Sequence, residues 1–226
     1  MIFNFRTRKT TVMKKNKIKY EHKAATKDYL RAIINFPKFG KLLIDQDKTY
    51  HKLLEFLIQN EIHFNHEDTP WPTIKELSLN LGISASRLTS QVREIYEDIL
   101  SLNSDHPKKF VNEGEIQCYL SFKYFDSYQG FNLGLKMVPR KGERFHFGFI
   151  EPKIGCSLYH VANIYHDWEN GGHTITINFT TEYPNQYLNL IKEKAYLRGE
   201  ISFWELIDRE IDSDLEKNLV KMFANL

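Results

Sequence analysis

The chain has little cysteine, no long hydrophobic run and none of the short motifs that mark common enzyme classes. Its 226 residues include two cysteines, Cys118 and Cys156, whose separation matches no metal-ligand motif. Both fall in segments predicted as strands, which favours small core residues over a disulfide or a nucleophile. A phosphate-binding loop and a G-x-S-x-G turn are also missing. We therefore predict no catalytic residue, no cofactor and no metal ion.

Membrane-spanning and secretory segments are missing as well. No apolar stretch is long enough to cross a membrane, and none resembles the apolar part of a signal peptide. Hydrophobic residues make up 42% of the chain and aromatic residues 14%, which is sufficient for one large or two modest hydrophobic cores. We expect a cytoplasmic protein with no membrane partner.

Charge is small as a net quantity but concentrated at one end. The net charge is +2, yet residues 1–23 carry eight basic side chains against one acid, Glu21, so the remainder sums to about −5. We predict a basic, flexible arm over residues 1–25 that attracts DNA phosphate, the alternative being a solvated terminus. The run MKKNKIKY from Met13 is typical of a bacterial start, which favours residues 1–12 being an addition to the cellular protein.

Residues 72–102 carry the clearest local signal, two helices joined by a tight turn. Thr73 and Glu76 have the spacing of a capping box at the start of the first helix. Gly82 is placed to end that helix in a left-handed conformation, and Ser84 is a good N-cap for the second. The second helix has one apolar stripe, formed by Leu88, Val92, Ile95, Ile99 and Leu102.

Residues 73–93 resemble the helix-turn-helix of bacterial transcription regulators, a class that includes winged-helix proteins. The features that match are Leu77, Ser78, Leu81, Gly82, Ile83 and Leu88. Gln91 stands where the family usually has an apolar residue, and Val92 is expected to take the inward role. The resemblance implies that the helix starting near Ala85 lies in the major groove of double-stranded DNA. The implied DNA-contacting residues are Ser84, Ser86, Arg87, Thr89, Ser90, Gln91 and Arg93. The alternative is an ordinary helical hairpin capped by glycine.

Helical periodicity also covers much of residues 26–60. The segments KDYLRAIINF and KTYHKLLEFLIQ each present apolar residues at helical spacing. We predict that the second of them supports the two-helix unit, giving a helical domain over 26–103. A loop containing Pro70, Trp71 and Pro72 separates them from the capped helix.

Period-two alternation replaces the helical pattern after a polar linker at 104–114. Five strands are predicted, near 116–124, 131–137, 145–149, 157–165 and 175–179, with short turns between them. This spacing predicts an antiparallel meander, followed by helices near 185–197 and 203–223. The fold class is therefore α+β: a helix-turn-helix domain, then a sheet domain over 115–226 with C-terminal helices.

Three roles for the predicted sheet stay open. Arg140, Lys141 and Arg144 in the PRKGER turn would reach DNA phosphate if the turn were a wing. A small-molecule effector would instead need an aromatic pocket, for which the candidates are Tyr119, Phe122, Tyr124, Phe131, Phe145, Phe147 and Phe149. An enzyme built on the sheet would draw on the HDWENGGH segment, with Asp167, Glu169 or His173.

Histidines form no recognisable ligand set in the sequence. His63 and His66 lie close together in a loop, and His146, His160, His166 and His173 come from different strands. The resulting hypothesis is a sequence-specific DNA-binding transcription regulator. We expect a homodimer held by residues after 184, through Phe203, Trp204, Leu206, Ile207, Leu219 and Phe223. The rival hypothesis is a ligand-binding or enzymatic module, with the helices as scaffold or protein-interaction surface.

Overall fold

A computed structural model describes residues 22–60, 72–169, 172–181 and 186–207, with 218, 219, 221 and 223. Within those residues the helices are α1 (Thr26–Asn35), α2 (Pro37–Lys41), α3 (His51–Gln59), α4 (Ile74–Leu81), α5 (Ala85–Asp105), α6 (Glu151–Ile154), α7 (Gln186–Leu197) and α8 (Phe203–Ile207). The strands are β1 (Ile116–Tyr124), β2 (Ser127–Leu135), β3 (Arg144–His146), β4 (Leu158–Glu169) and β5 (Gly172–Thr180). Most of the predicted basic arm, the histidines at 63 and 66, and Trp71 lie outside the described residues.

The helices predicted between 26 and 60 are confirmed, with α2 as an addition. Helix α1 buries Leu30, Ile33 and Ile34, and α3 buries a second apolar stripe that includes Leu54. Asp28 stabilises the start of α1 by accepting a 2.8 Å hydrogen bond from the backbone N–H of Ala25. None of the described helices combines the length and the apolar character needed to cross a membrane.

The sheet is mixed, so the predicted antiparallel meander is wrong. Its strand order is β2-β1-β5-β4-β3, and β1 pairs with β5 in parallel. The parallel register places Cys118, Leu120 and Phe122 beside Ile175, Ile177 and Phe179. The apolar rows of the two hairpins therefore join into one buried surface, with β5 at the centre of the sheet. Alternation identifies which residues face inward but not which strand lies beside which.

The predicted strand over 145–149 is largely replaced by helical turns. Strand β3 ends at His146, and a 3₁₀ turn over Gly148–Ile150 leads into α6, which has Pro152 in its first turn. The alternating phenylalanines of this segment pack in the core instead of forming one row of a strand. Phe147 and Phe149 are buried, and Phe147 lies 5.3 Å, between ring centroids, from Phe131 of the opposite edge strand. The sheet is therefore curled around this cluster of rings.

Helices α1 to α6 and the sheet share one hydrophobic core. One cluster of buried residues runs from Leu30 in α1 to Phe179 in β5. Residues 104–114, expected to be a linker, continue α5 to Asp105 and then form a 3₁₀ turn whose Phe110 is buried in that cluster. The predicted boundary between 103 and 115 therefore does not separate two cores.

A side-chain amide joins α5 to the edge strand β2. Asn103 is buried, its Oδ1 accepts a 2.8 Å hydrogen bond from Asn132 N–H, and its Nδ2 donates to Asn132 O at 2.7 Å. These two bonds satisfy the backbone groups of an edge strand that would otherwise be unpaired at this residue.

The C-terminal helices form a second, smaller core. Ile191 and Ala195 of α7 pack with Ile201, Leu219 and Phe223. Two residues expected to face a partner subunit, Leu219 and Phe223, are therefore buried within the chain. The helix predicted near 185–197 is confirmed as α7, and the one predicted over 203–223 is confirmed over α8, while 208–217 lie outside the described residues.

Candidate nucleic-acid interface

Helix α4 begins with the predicted capping box. The Thr73 backbone N–H donates to Glu76 Oε2 at 2.7 Å, and the Glu76 N–H donates to Thr73 Oγ1 at 3.2 Å. Hydrogen bonds from the Thr73 backbone, and then from its hydroxyl, lower the pKa of Glu76. A fixed carboxylate at the helix N-terminus also interacts favourably with the helix dipole.

The turn between α4 and α5 has the predicted left-handed glycine. Gly82 has φ 63° and ψ 30°, and its N–H donates to Leu79 O at 3.3 Å. Ile83 N–H donates to Ser78 O at 3.1 Å, and the Ser78 hydroxyl donates to the Ile83 carbonyl. Ser84 then caps α5, its Oγ accepting a 3.2 Å bond from Arg87 N–H. The sequence therefore fixes both the end of α4 and the start of α5.

Helix α5 presents a polar N-terminal surface opposite a buried apolar stripe. The inner residues Leu88, Val92, Ile95, Ile99 and Leu102 are all buried, as predicted. The outer residues of its first half are Ser84, Ser86, Arg87, Ser90 and Arg93, all exposed, with Thr89 half-buried. We call these six residues the α5 face. Small hydroxyl side chains between two arginines allow close approach of the helix to a groove.

Gln91 does not belong to this face, so its predicted DNA contact is wrong. Its side chain is only 5% exposed, and its Nε2 donates to the Thr49 carbonyl at 2.8 Å. The Gln91 side chain therefore points inward, beside the apolar stripe of α5. A glutamine is tolerated because the loop before α3 supplies a hydrogen-bond acceptor.

The two arginines of the α5 face have different surroundings. The Arg93 guanidinium carbon lies 5.7 Å from the centroid of the Tyr29 ring, a cation–π arrangement that orients the side chain. Arg87 makes no ion pair with any residue in the described part of the chain. The role of Tyr29 in orienting Arg93 was not predicted from the sequence, because the periodicity of α1 identifies Tyr29 only as an apolar residue.

Three acidic residues follow Arg93 on the next turns of α5, and each has a partner. Glu94 accepts a 3.5 Å hydrogen bond from the Thr49 hydroxyl, whereas Glu97 and Asp98 form ion pairs. Glu97 accepts a 2.7 Å ion pair from Lys153, and Asp98 accepts from Lys48 at 3.1 Å. Asp98 also accepts a 2.6 Å hydrogen bond from Tyr50. Burial, followed by this bond to Asp98, raises the pKa of Tyr50, so its hydroxyl stays a donor. The negative charge next to the α5 face is thus partly neutralised within the chain.

The support for α5 differs from the one predicted. Helix α1 is its main packing partner, and the Tyr96 hydroxyl of α5 donates to Phe149 O at 2.9 Å. Helix α3, expected to fill that role, contributes chiefly through Thr49 and Tyr50 at its start. The α5 face is therefore held by the common core and not by a separate three-helix unit.

The basic turn with Arg140, Lys141 and Arg144 is held by β4. All three side chains are exposed, Gly142 N–H donates to Val161 O at 2.8 Å, and Val161 N–H donates to Glu143 O at 2.9 Å. The strand that packs on α5 is β2, at the other end of the strand order. The structure thus gathers the α5 face on one helix and carries these three residues on a separate element. Their contact with DNA phosphate stays a prediction.

The aromatic residues considered for a ligand pocket mostly pack against one another. Phe122 stacks on Phe179 at 4.7 Å, and Phe131 lies 5.2 Å from Phe149, both measured between ring centroids. Tyr119 is exposed and lies over Gly130 on the opposite surface of the sheet. These rings fill the core of the curled sheet.

The candidate reactive groups are dispersed. Burial raises the pKa of the Cys118 thiol to about 11, which keeps it protonated and unreactive. No group of three or more histidine, cysteine, aspartate or glutamate side chains within the described residues is arranged to hold a metal ion. Among the strand histidines, however, His166 and His173 do meet across β4 and β5, with 3.0 Å between Nδ1 and Nε2.

The comparisons with known proteins find no relative of this chain. No family model, no curated protein and no solved structure matches the chain.

Proposed function

We propose that the protein binds double-stranded DNA in a sequence-specific manner through the α5 face and acts as a cytoplasmic transcription regulator. The observation that supports the proposal best is the two-helix geometry itself. A capped α4, a left-handed Gly82 and an Ser84-capped α5 hold an exposed row of serines and arginines at a helix N-terminus. Backbone N–H groups at that end favour phosphate, and Arg87 and Arg93 suit guanine edges or phosphate oxygens.

Replacing both arginines with alanine tests the proposal. Arg87→Ala with Arg93→Ala should weaken DNA binding, since each lost phosphate contact reduces the salt slope by about one and each lost base contact costs roughly 1–3 kcal/mol. The measurement is a salt series of binding isotherms on randomised and selected duplexes, with circular dichroism to verify the fold. Because Arg93 also rests on Tyr29, a small loss of stability is expected beside the loss of binding.

A matched control removes the same charge from the other end of α5. Lys108 and Lys109 are both exposed and follow the C-terminus of the helix, roughly 30 Å from Arg87 at about 1.5 Å per residue. Lys108→Ala with Lys109→Ala should therefore leave sequence selectivity intact. If the two double variants lose equal DNA affinity, the effect is one of net charge alone. If the arginine variant binds DNA like wild type, α5 is not the DNA-reading helix.

We propose further that two copies pair through α7 and α8, so that two α5 helices meet half-sites about one DNA turn apart. Six large side chains of this region are exposed to solvent: Tyr187, Leu190, Tyr196, Leu197, Phe203 and Trp204. Three of them, at 187, 190 and 197, lie on one side of α7 at helical spacing. Self-complementary association about a two-fold axis is the commonest form of homodimer.

Light scattering measures this association directly. The full chain should have the mass of a dimer, and Leu197→Glu with Trp204→Glu should give a monomer, because both side chains are more than 70% exposed and leave the fold intact. Met137→Glu, at a residue that is 76% exposed in the loop after β2, is the control and should stay dimeric. A monomeric wild-type chain, with and without DNA, would contradict the pairing.

A regulator of this kind could also bind a small-molecule effector. The rings once considered for its pocket contact one another in the core, as with Phe122 on Phe179. An effector would therefore need another surface of the sheet or of the C-terminal helices.

A further inference from the structure

The hairpin of β4 and β5 carries two histidines and a tryptophan on one surface near its tip. Residues 172–174 of β5 precede its first pair with β1, so this part of the hairpin is two-stranded. His166 lies opposite Ile175, and Trp168 lies opposite His173. All three polar or aromatic side chains are exposed, Trp168 by 73%. The register of the hairpin alone brings them together.

The two imidazoles meet edge to edge. His166 Nδ1 lies 3.0 Å from His173 Nε2, the ring centroids are 5.2 Å apart, and the rings are within 16° of coplanar. One ring donates a proton and the other accepts it. Trp168 lies flat on His173, with 4.0 Å between ring centroids and 5° between ring planes. That stacking restrains the orientation of the His173 ring.

The distance between the two nitrogens is also one that a metal ion imposes. At metal–nitrogen distances of about 2.0–2.1 Å, two ligand nitrogens lie about 2.9 Å apart at a right angle and about 3.3 Å apart in a tetrahedron. The observed 3.0 Å falls within that interval. Coordination requires both lone pairs to point to one side of the line that joins the nitrogens, a reorientation for which the exposed positions of the two side chains leave room.

We propose that His166 and His173 form a binding site for a divalent transition-metal ion of the imidazole-preferring class, Cu²⁺, Ni²⁺ or Zn²⁺. His166 binds through Nδ1 and His173 through Nε2. The ring that now donates the shared proton releases it from that nitrogen, to its other ring nitrogen or to solvent. Water completes the coordination, so the site is open and its ion exchangeable.

Cu²⁺ is the most suitable probe, because it binds nitrogen ligands most tightly among the divalent first-row metal ions and quenches the fluorescence of a nearby tryptophan. Titration of the full chain with Cu²⁺ should quench Trp168 with a one-to-one midpoint. Trp168→Phe should remove that component and leave the signal of Trp71 and Trp204. His166→Gln and His173→Gln should each weaken binding by roughly tenfold or more, the least that loss of a supporting residue costs at metal sites.

Two further variants make the result decisive. His106→Gln removes an exposed histidine at the C-terminus of α5 and should leave the Cu²⁺ midpoint unchanged. The doubly substituted His166→Gln, His173→Gln chain should behave as either single variant, since one imidazole alone does not form the site. If the two single variants bind Cu²⁺ like wild type, or if His106→Gln loses as much affinity as they do, the pair is a hydrogen-bonded contact only and the proposal fails.

Discussion

Phe149→Ala should lower the free energy of unfolding by about 3–5 kcal/mol, the usual cost of removing a fully buried phenylalanine. Phe149 is completely buried at the point where helices and sheet meet. Its ring centroid lies 5.0 Å from Tyr96 of α5 and 5.2 Å from Phe131 of β2. The substitution therefore removes contacts to both halves of the chain and leaves a cavity between them.

Denaturant unfolding of this variant also tests whether α1 to α6 and the sheet unfold together as one core. Because one cluster spans α1 to β5, circular dichroism of the helices and near-ultraviolet signals of the aromatic rings should change at the same midpoint. Phe125→Ala is the control: Phe125 is 58% exposed at the β1–β2 turn, so its loss should cost well under 1 kcal/mol. A helical transition that survives Phe149→Ala with its wild-type midpoint would restore the two-domain interpretation.

Local features were predictable from the sequence because their causes are local. The capping box of α4, the left-handed Gly82 and the buried stripe of α5 each depend on residues within a few positions of one another. The pairing of β1 with β5 depends instead on two segments separated by the whole of β2 to β4. Alternation fixes the inward face of each strand, yet it is the same for parallel and antiparallel neighbours.

Local and long-range causes can also be distinguished residue by residue on α5. Ser86, Arg87, Ser90 and Arg93 are exposed as the helical period predicts. Gln91 lies at the edge of the buried stripe, where the period alone does not decide between inside and outside. What decides is the Thr49 carbonyl at 2.8 Å, which belongs to a loop far away in the sequence. Such a partner becomes visible only in the folded chain.

A substitution at Gly82, in the turn between α4 and α5, should have two effects that can be measured separately: a loss of stability from backbone strain, and a change in how α5 is positioned. Gly82→Val should lower stability by about 1–2 kcal/mol, because a left-handed φ of 63° is unfavourable for an L side chain and worse for a branched one. A Cβ at this glycine would meet nothing within 4 Å, so the cost is one of backbone conformation and not of a clash. Relief of the strain requires φ to change, which alters the angle between α4 and α5.

Gly114→Val provides a matched strain elsewhere in the fold. Gly114 has φ 79° and likewise has nothing within 4 Å of an added Cβ, but it lies in the turn before β1. Thermal melts should therefore show similar losses of stability for the two variants. Only Gly82→Val should lose sequence-specific DNA binding, measured well below both melting temperatures, since it alone moves the α5 face relative to α4. Gly82→Asn should retain more of both properties, because asparagine tolerates the left-handed conformation better. Equal DNA binding by the two valine variants would mean that the turn does not position the reader, and α5 would then serve as part of the scaffold.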